Sequence, residues 1–229
     1  MKIAICFHLG YLHRWREFTP YIDNVMRYCP NTDLYITYRE DQDPTEMCRR
    51  KYPRAIVMKA NRGADTGAFL LHLKCLLASP VHYDYVFKIH TKSGNAECPT
   101  WVNDLLQGIA GDVHKISRVF QIFHQQPKVG MICGKRWLVE RKMAHDANFP
   151  YLDAICRRCH LSSQGIQFVG GTIFWVRMSV LQQAFSNVNL ENEYQRCEDG
   201  KPNEPSITHS WERIYGLVVH HCGFHIEGV

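Results

Sequence analysis

The stretch Tyr85-Val86-Phe87-Lys88-Ile89-His90-Thr91-Lys92-Ser93 begins as an apolar strand and ends in groups that bind phosphate. Side chains alternate across a strand, so Lys88, His90 and Lys92 share one face, while Tyr85, Phe87 and Ile89 share the other. In an open α/β sheet, ligands bind just beyond the carboxyl ends of the strands. Two lysines and a histidine placed there would hold an anion such as a diphosphate. The plain alternative is a basic strand end in solvent.

A second cluster supports the first. Asn61-Arg62-Gly63-Ala64-Asp65-Thr66-Gly67 falls between a short strand and a helix. Its glycines let the backbone approach a ligand, Arg62 can pair with phosphate, and the amides at a helix N-terminus attract anions. It is neither G-x-G-x-x-G nor a P-loop. Its weight comes from position, because both turns would open onto the same edge of the sheet.

Glu212 lies in Thr208-His209-Ser210-Trp211-Glu212-Arg213, read as the first turn of the last helix. A carboxylate there is favourably placed and serves as a general base if it faces a cleft. Otherwise it is a capping or surface residue paired with Arg213. Gly170-Gly171-Thr172 interrupts an apolar strand, which marks a bulge or a close approach, either a substrate wall or a packing constraint. Cys156-Arg157-Arg158-Cys159-His160 has the spacing of haem attachment or, with His220, His221 or Cys222, of a zinc site; coincidence in a cysteine-rich chain is the competing reading. Asp41-Gln42-Asp43 could hold a divalent ion. Because it follows an early strand, it reads instead as a solvated turn.

The elements that must position these groups alternate. Strands are predicted at Lys2 to Phe7, Asp33 to Tyr38, Ala55 to Met58, Tyr85 to Lys92, Val129 to Cys133 and Phe168 to Val176. Helices are predicted to end near Cys29, to start near Asn61 with Asp65 as cap, and to run over Trp101 to Ile109, Val113 to Gln125, Ser179 to Phe185 and Thr208 to His221. The segment from Gly134 to Gln167 reads as a polar, irregular insertion near a site. Such alternation predicts an α/β fold, with a mostly parallel central sheet flanked by helices.

At 229 residues and 45% hydrophobic, the chain can bury one full core as a single domain. The formal charge of +5, with 27 basic residues interspersed among 22 acidic ones, suits phosphorylated ligands and is too weak to argue for nucleic acid, which is not expected as a partner. No apolar run of about 18 residues spans a membrane, and the first residues lack a secretory signal, so a soluble cytoplasmic protein is expected. The ten cysteines are then read as reduced, with Cys6, Cys75 and Cys133 as small hydrophobes.

Several stretches together resemble one family. Phe7-His8 with Tyr11, Asp33 to Thr37, Asn61 to Asp65, Tyr83 through Lys92, Pro127 to Gly130, Gly171 to Trp175 and His209 to Arg213 are similar, in order, to the rhamnan synthesis protein F family. The resemblance implies a GT-A-like glycosyltransferase that moves a sugar, often rhamnose, from a nucleoside diphosphate to a carbohydrate acceptor. A nucleotide-sugar half of about 1–125 and an acceptor half of about 126–229 follow from it. His8 and Tyr11 would border the nucleotide. Asn61, Arg62, Gly63, Asp65, Lys88 and Thr91 would bind the donor, and Asp65 would reach its ribose or sugar hydroxyls. Gly170, Gly171, Thr172, Trp175 and His209 would line the acceptor side. His90, Lys92 and Glu212 would be catalytic.

Where GT-A enzymes usually carry a metal-binding D-x-D, this chain has His90-Thr91-Lys92. The departure implies metal-independent, inverting transfer with no cofactor, fixed positive charge taking the cation's place. A larger glycan-assembly complex is an expected setting. A non-catalytic nucleotide-sugar-binding scaffold and a zinc-binding interaction module are the alternatives.

Overall fold

All seven residues of Ile3–Leu9 are buried, and only His8 among them is polar. A strand apolar on both faces belongs inside a sheet covered on both sides. This strand, β1, lies between β2 (Thr32–Tyr38) and β4 (Tyr85–His90), parallel to both. The computed structural model describes residues 1–39, 43–92, 100–162, 166–200 and 202–229. The remaining strands are β3 (Ile56–Lys59), β5 (Val129–Cys133), β6 (Leu138–Arg141), β7 (Ile166–Val169), β8 (Phe174–Arg177) and β9 (His225–Gly228).

Seven strands form the main sheet in the order β3-β2-β1-β4-β8-β5-β9. Only β8 runs against its neighbours β4 and β5. The chain builds outward from β1 through β2 to β3, then crosses back to lay β4 on the other side of β1. That reversal creates a switch point at the carboxyl ends of β1 and β4, where such sheets bind ligands.

Helices cover both faces. On one lie α1 (Trp15–Tyr28), α2 (Thr45–Lys51), α4 (Trp101–Ala110) and α5 (Val113–Gln125). On the other lie α3 (Ala64–Ala78), α6 (Phe149–Cys159), α7 (Met178–Phe185), α8 (Leu190–Arg196) and α9 (Ile207–His221). Strand alternation divides the apolar residues between the two layers: Phe87, Ile89 and Trp175 face the first, and Val86, Phe174 and Val176 the second. Gly216 on α9 permits its close approach to β7, since a Cβ there would lie 2.1 Å from the Gln167 carbonyl oxygen.

Several expectations change. The segment from Gly134 to Gln167 is not irregular: it holds β6 and α6, and its end pairs as β7 with β6 in a separate two-stranded sheet. Phe168 to Val176 is therefore two strands in two sheets, joined by the turn at Gly170-Gly171-Thr172. Sequence periodicity also missed α2, α8 and β9, elements of four to seven residues, too short to show a repeat.

Trp175 corrects the expectation, drawn from the resemblance, that it lines the acceptor side. It is fully buried, stacks on Phe87 with ring centroids 4.4 Å apart, and donates its indole N–H to the Ile109 carbonyl at 3.0 Å. Trp175→Ala is expected to cost about 3–5 kcal/mol of unfolding free energy, measured by urea titration. A loss below about 1 kcal/mol would contradict this core role.

Candidate functional site at the carboxyl edge of the sheet

Lys88 occupies a strand position that alternation assigns to the apolar layer. It is 2% exposed, with its Nζ 5.7 Å from the Phe69 ring centroid and 5.9 Å from that of Phe174. A buried ammonium is tolerated only when paired and fully hydrogen-bonded. Its three donors find Asp65 Oδ2 at 2.8 Å, the Thr172 carbonyl at 2.9 Å and Thr172 Oγ1 at 3.0 Å. An ammonium has no fourth donor, so Lys88 is spent inside the fold and does not reach a phosphate. Burial pulls its pKa down, with Asp65 pulling back.

Asp65 sits in the first turn of α3, after Gly63 in the left-handed region, and does not cap that helix as expected. Its Oδ2 instead accepts from Lys88 and from the Thr172 hydroxyl, and lies 3.3 Å from His90 Nε2. Burial raises the carboxyl's pKa, but the charges of the neighbouring basic groups outweigh burial and hold it well below the usual carboxylate range.

His90 is 3% exposed and lies 2.9 Å, through Nε2, from the Gly171 carbonyl. A carbonyl can only accept, so Nε2 carries the proton. Burial outweighs Asp65 and drives the imidazole pKa well below its usual value. His90 is thus a neutral donor, contrary to the expectation of a phosphate-binding cation. His8 is likewise neutral, pushed down to about 4 mainly by burial, and its Nδ1 lies 3.1 Å from Thr37 Oγ1. Behind them His72 on α3 is 1% exposed, is driven well down by burial, and its Nε2 has no hydrogen-bond partner.

These contacts shape the turn before β8. Gly171 has φ +84° and Thr172 φ +52°, a left-handed conformation costly for a β-branched residue. Lys88, Asp65 and His90 hold it there. The Gly171 N–H in turn donates to Glu212 Oε1 at 2.7 Å. Glu212 stands in the second turn of α9, because Ser206 caps that helix by accepting from the His209 N–H at 3.1 Å.

The groups open onto a cleft of about 360 Å³ at the switch point. His8, Tyr11, Asp65, His90, Thr91, Lys92, Gly171, Thr172, His209 and Glu212 line it. Lys92 is placed at its rim, its Nζ 4.4 Å from the Trp101 ring centroid, and Thr91 Oγ1 accepts from the Tyr11 N–H at 2.9 Å. Others expected there do not line it. Arg62 turns to the carbonyls of Cys197 at 2.9 Å and Gln195 at 3.4 Å. The Asn61 N–H binds the Tyr194 hydroxyl at 2.9 Å. Gly63 packs against Cys197 and Gly170 against Trp137 and Val139. Sequence reasoning missed Arg39, Trp101 and Thr208 on the cleft wall; Arg39 directly follows β2, the strand beside β1, a signal that was available.

The end of β4 does not suit a divalent cation. It presents a donating imidazole N–H, a hydroxyl and an ammonium, and the nearest carboxylate, Asp65, is already engaged by Lys88. Among the described residues no group of three or more His, Cys, Asp or Glu side chains is arranged to hold a metal ion. Cys156 and Cys159 are buried in the core, burial pushing their thiols up to about 11 and about 12, and the described residues bring them no third ligand of the kind the zinc alternative needs. Asp41 and Gln42 lie outside the described residues, as does Ser93; Asp43 Oδ1 accepts from the Thr45 N–H at 2.9 Å.

The rhamnan synthesis protein F family matches this chain over residues 1–224. The chain belongs to that family. Membership agrees with the resemblance of its motifs. No curated protein matches it. Among solved structures, S. aureus TarS (residues 1–349) is 10% identical with a TM-score of 0.42, over 86% of this chain and 54% of that one, so the chain spans about half its length. Glucosyl-3-phosphoglycerate synthase from Mycobacterium tuberculosis, solved with Mn2+, uridine diphosphate and phosphoglyceric acid, is 12% identical with a TM-score of 0.41, over 97% and 79%. A 4-diphosphocytidyl-2C-methyl-D-erythritol synthase is 8% identical with a TM-score of 0.43, over 96% and 98%. No helix among the described residues of this family member is long and apolar enough to cross a membrane.

The neutral histidines set a pH dependence. Below the ordinary histidine pKa of 6.5 the unfolded chain binds protons that folded His8, His72 and His90 refuse. Stability therefore rises with pH, and acidification from about 6.5 towards about 4 should remove up to about 1.4 kcal/mol per pH unit for each imidazole. Urea midpoints at pH 7, 6 and 5 check this; a flat series would mean that the histidines are protonated in the fold.

Proposed function

We propose that this chain transfers a sugar, rhamnose being the family's indication, from a nucleoside diphosphate to a glycan acceptor, with inversion and without a metal ion. The observation that carries the reading is that Glu212 and Lys92 line one cleft at the switch point. The acceptor hydroxyl attacks the anomeric carbon, the bond from that carbon to the diphosphate oxygen breaks, and the hydroxyl proton passes to the Glu212 carboxylate. Negative charge grows on the departing phosphate, where fixed cations lower the barrier. Lys92 fills that role, joined by Arg39 on the cleft wall. His90 donates to the turn that aims Glu212, and Asp65 meets donor hydroxyls. The donor half is 1–125 and the acceptor half 126–229 of one domain, in a GT-A-like arrangement.

Replacing Glu212 with Gln keeps an acceptor for the Gly171 N–H while removing the base, so turnover should fall about 10²–10⁴-fold with the melting temperature little changed. Lys92→Ala should lower turnover about 10²–10³-fold. Nucleoside diphosphate release from UDP-, GDP- and dTDP-sugars measures both, after a thermal-shift screen has found the donor that stabilises the protein. Full activity in both variants removes the assignment; donor binding with no release in the unaltered protein favours the scaffold reading. Turnover should also survive a chelator, and activity restored only by Mn2+ would overturn the metal-free mechanism.

A further inference from the structure

Glu212 has a second partner that the proposed chemistry does not require. Its Oε2 accepts from Arg213 Nη1 at 2.7 Å. Successive residues on a helix point about 100° apart, so helix geometry alone does not bring these two together. Arg213 folds back along α9, donating also to the His209 carbonyl at 3.0 Å, with its guanidinium 4.8 Å from the Phe168 ring centroid. Its Nε lies 3.2 Å from Asp146 Oδ2, and its Nη2 donates to Glu204 Oε1. Asp146 has a fully buried side chain and is itself fixed, its Oδ1 accepting from the Asn148 N–H and amide, both at 2.9 Å. Asn148 reaches on to Glu204 through its amide and receives the Ser206 N–H at 2.8 Å, at the cap of the helix bearing Glu212.

One guanidinium thus serves three carboxylates, Asp146, Glu204 and Glu212. Arg141, 53% exposed, lies 3.8 Å from Asp146. Asp146 is fully buried whereas Glu212 is 17% and Glu204 42% exposed, so the Arg213–Asp146 pair is the fixed centre from which the guanidinium reaches the other two. Spreading Arg213 over three anions fixes its plane and leaves Glu212 held from two sides, by Gly171 and by Arg213. Neither Asp146 nor Arg213 lines the cleft.

We infer that Arg213, held by buried Asp146, is a positioning residue that aims the Glu212 carboxylate into the cleft, so that the segment Asp146–Asn148 and Glu204 set the alignment of the base. This rests on the reading of Glu212 as the proton acceptor. Outer partners of reacting groups commonly change activity about 10- to 100-fold when replaced.

Asp146→Asn keeps the size of the side chain but removes the charge that holds Arg213. With the UDP-, GDP- or dTDP-sugar that supports nucleoside diphosphate release, kcat should fall about 10- to 100-fold while the donor KM moves less than about two-fold. In a Glu212→Gln background the same change should cost nothing further, because both act through one carboxylate. Losses that multiply across the two variants, or a kcat that does not move, overturn the inference. Should Asp146→Asn fail to fold, Glu204→Gln, at a residue 42% exposed, is read by the same non-additivity. If Glu212→Gln alone keeps full turnover, or no sugar is turned over, the base reading fails on its own, and a crystal structure of the Asp146→Asn or Glu204→Gln protein decides the positioning. A Glu212 carboxylate displaced from the Gly171 N–H supports it; one still at 2.7 Å refutes it.

Discussion

The buried ion pair between Asp65 and Lys88 governs this edge of the fold. The Lys88 charge, removed from water, is tolerated there only because its three donors are met by Asp65 and by the turn before β8. Removing one partner of such a pair typically costs about 3–5 kcal/mol, because the other is left charged and dry. The pair therefore demands Thr172 in its left-handed conformation, Thr172 presents Gly171, and Gly171 fixes Glu212. A carboxylate on α9 is aimed by a lysine on β4 that it does not touch.

Charge at the cleft is consequently sparser than a count of basic residues implies. Of the three basic side chains on one face of the β4 stretch, one is consumed by an internal carboxylate and one is neutral. Lys92, beyond the strand, stands on the cleft wall against Trp101. The strand end builds a rigid wall first and offers positive charge second.

This division explains what could be read from the residues. Alternation along β4, the cleft at the switch point and the gathering of His8, Asp65, Lys92 and Glu212 all follow from local patterns and a general rule of α/β sheets. Which cation is spent internally does not, because Lys88, Asp65 and Thr172 are distant in sequence and only the fold reveals that they compete for the same hydrogen bonds. Trp175 misled for a related reason: the resemblance carried the whole stretch from Gly170 to Trp175 to the acceptor side, whereas the turn sends the indole ring to the opposite face of the sheet. In α6 the buried stripe Leu152, Ile155, Cys156 and Cys159 has helical spacing, but exposed Phe149 and Tyr151 blur it, and the cysteines are simply part of that stripe.

The reversed direction of β8 has an architectural consequence. Because β8 opposes β4 and β5, the chain leaves the sheet at the end of β5 and re-enters at the start of β8 on one and the same rim, the rim of the cleft. Everything between, β6, α6 and β7, folds back over one face of the sheet, its buried Leu152, Ile155 and Phe168 joining the same core as α9. An excursion closed on neighbouring strands needs no crossover beneath the sheet, so the chain comes back to the cleft's edge carrying the turn that holds Glu212.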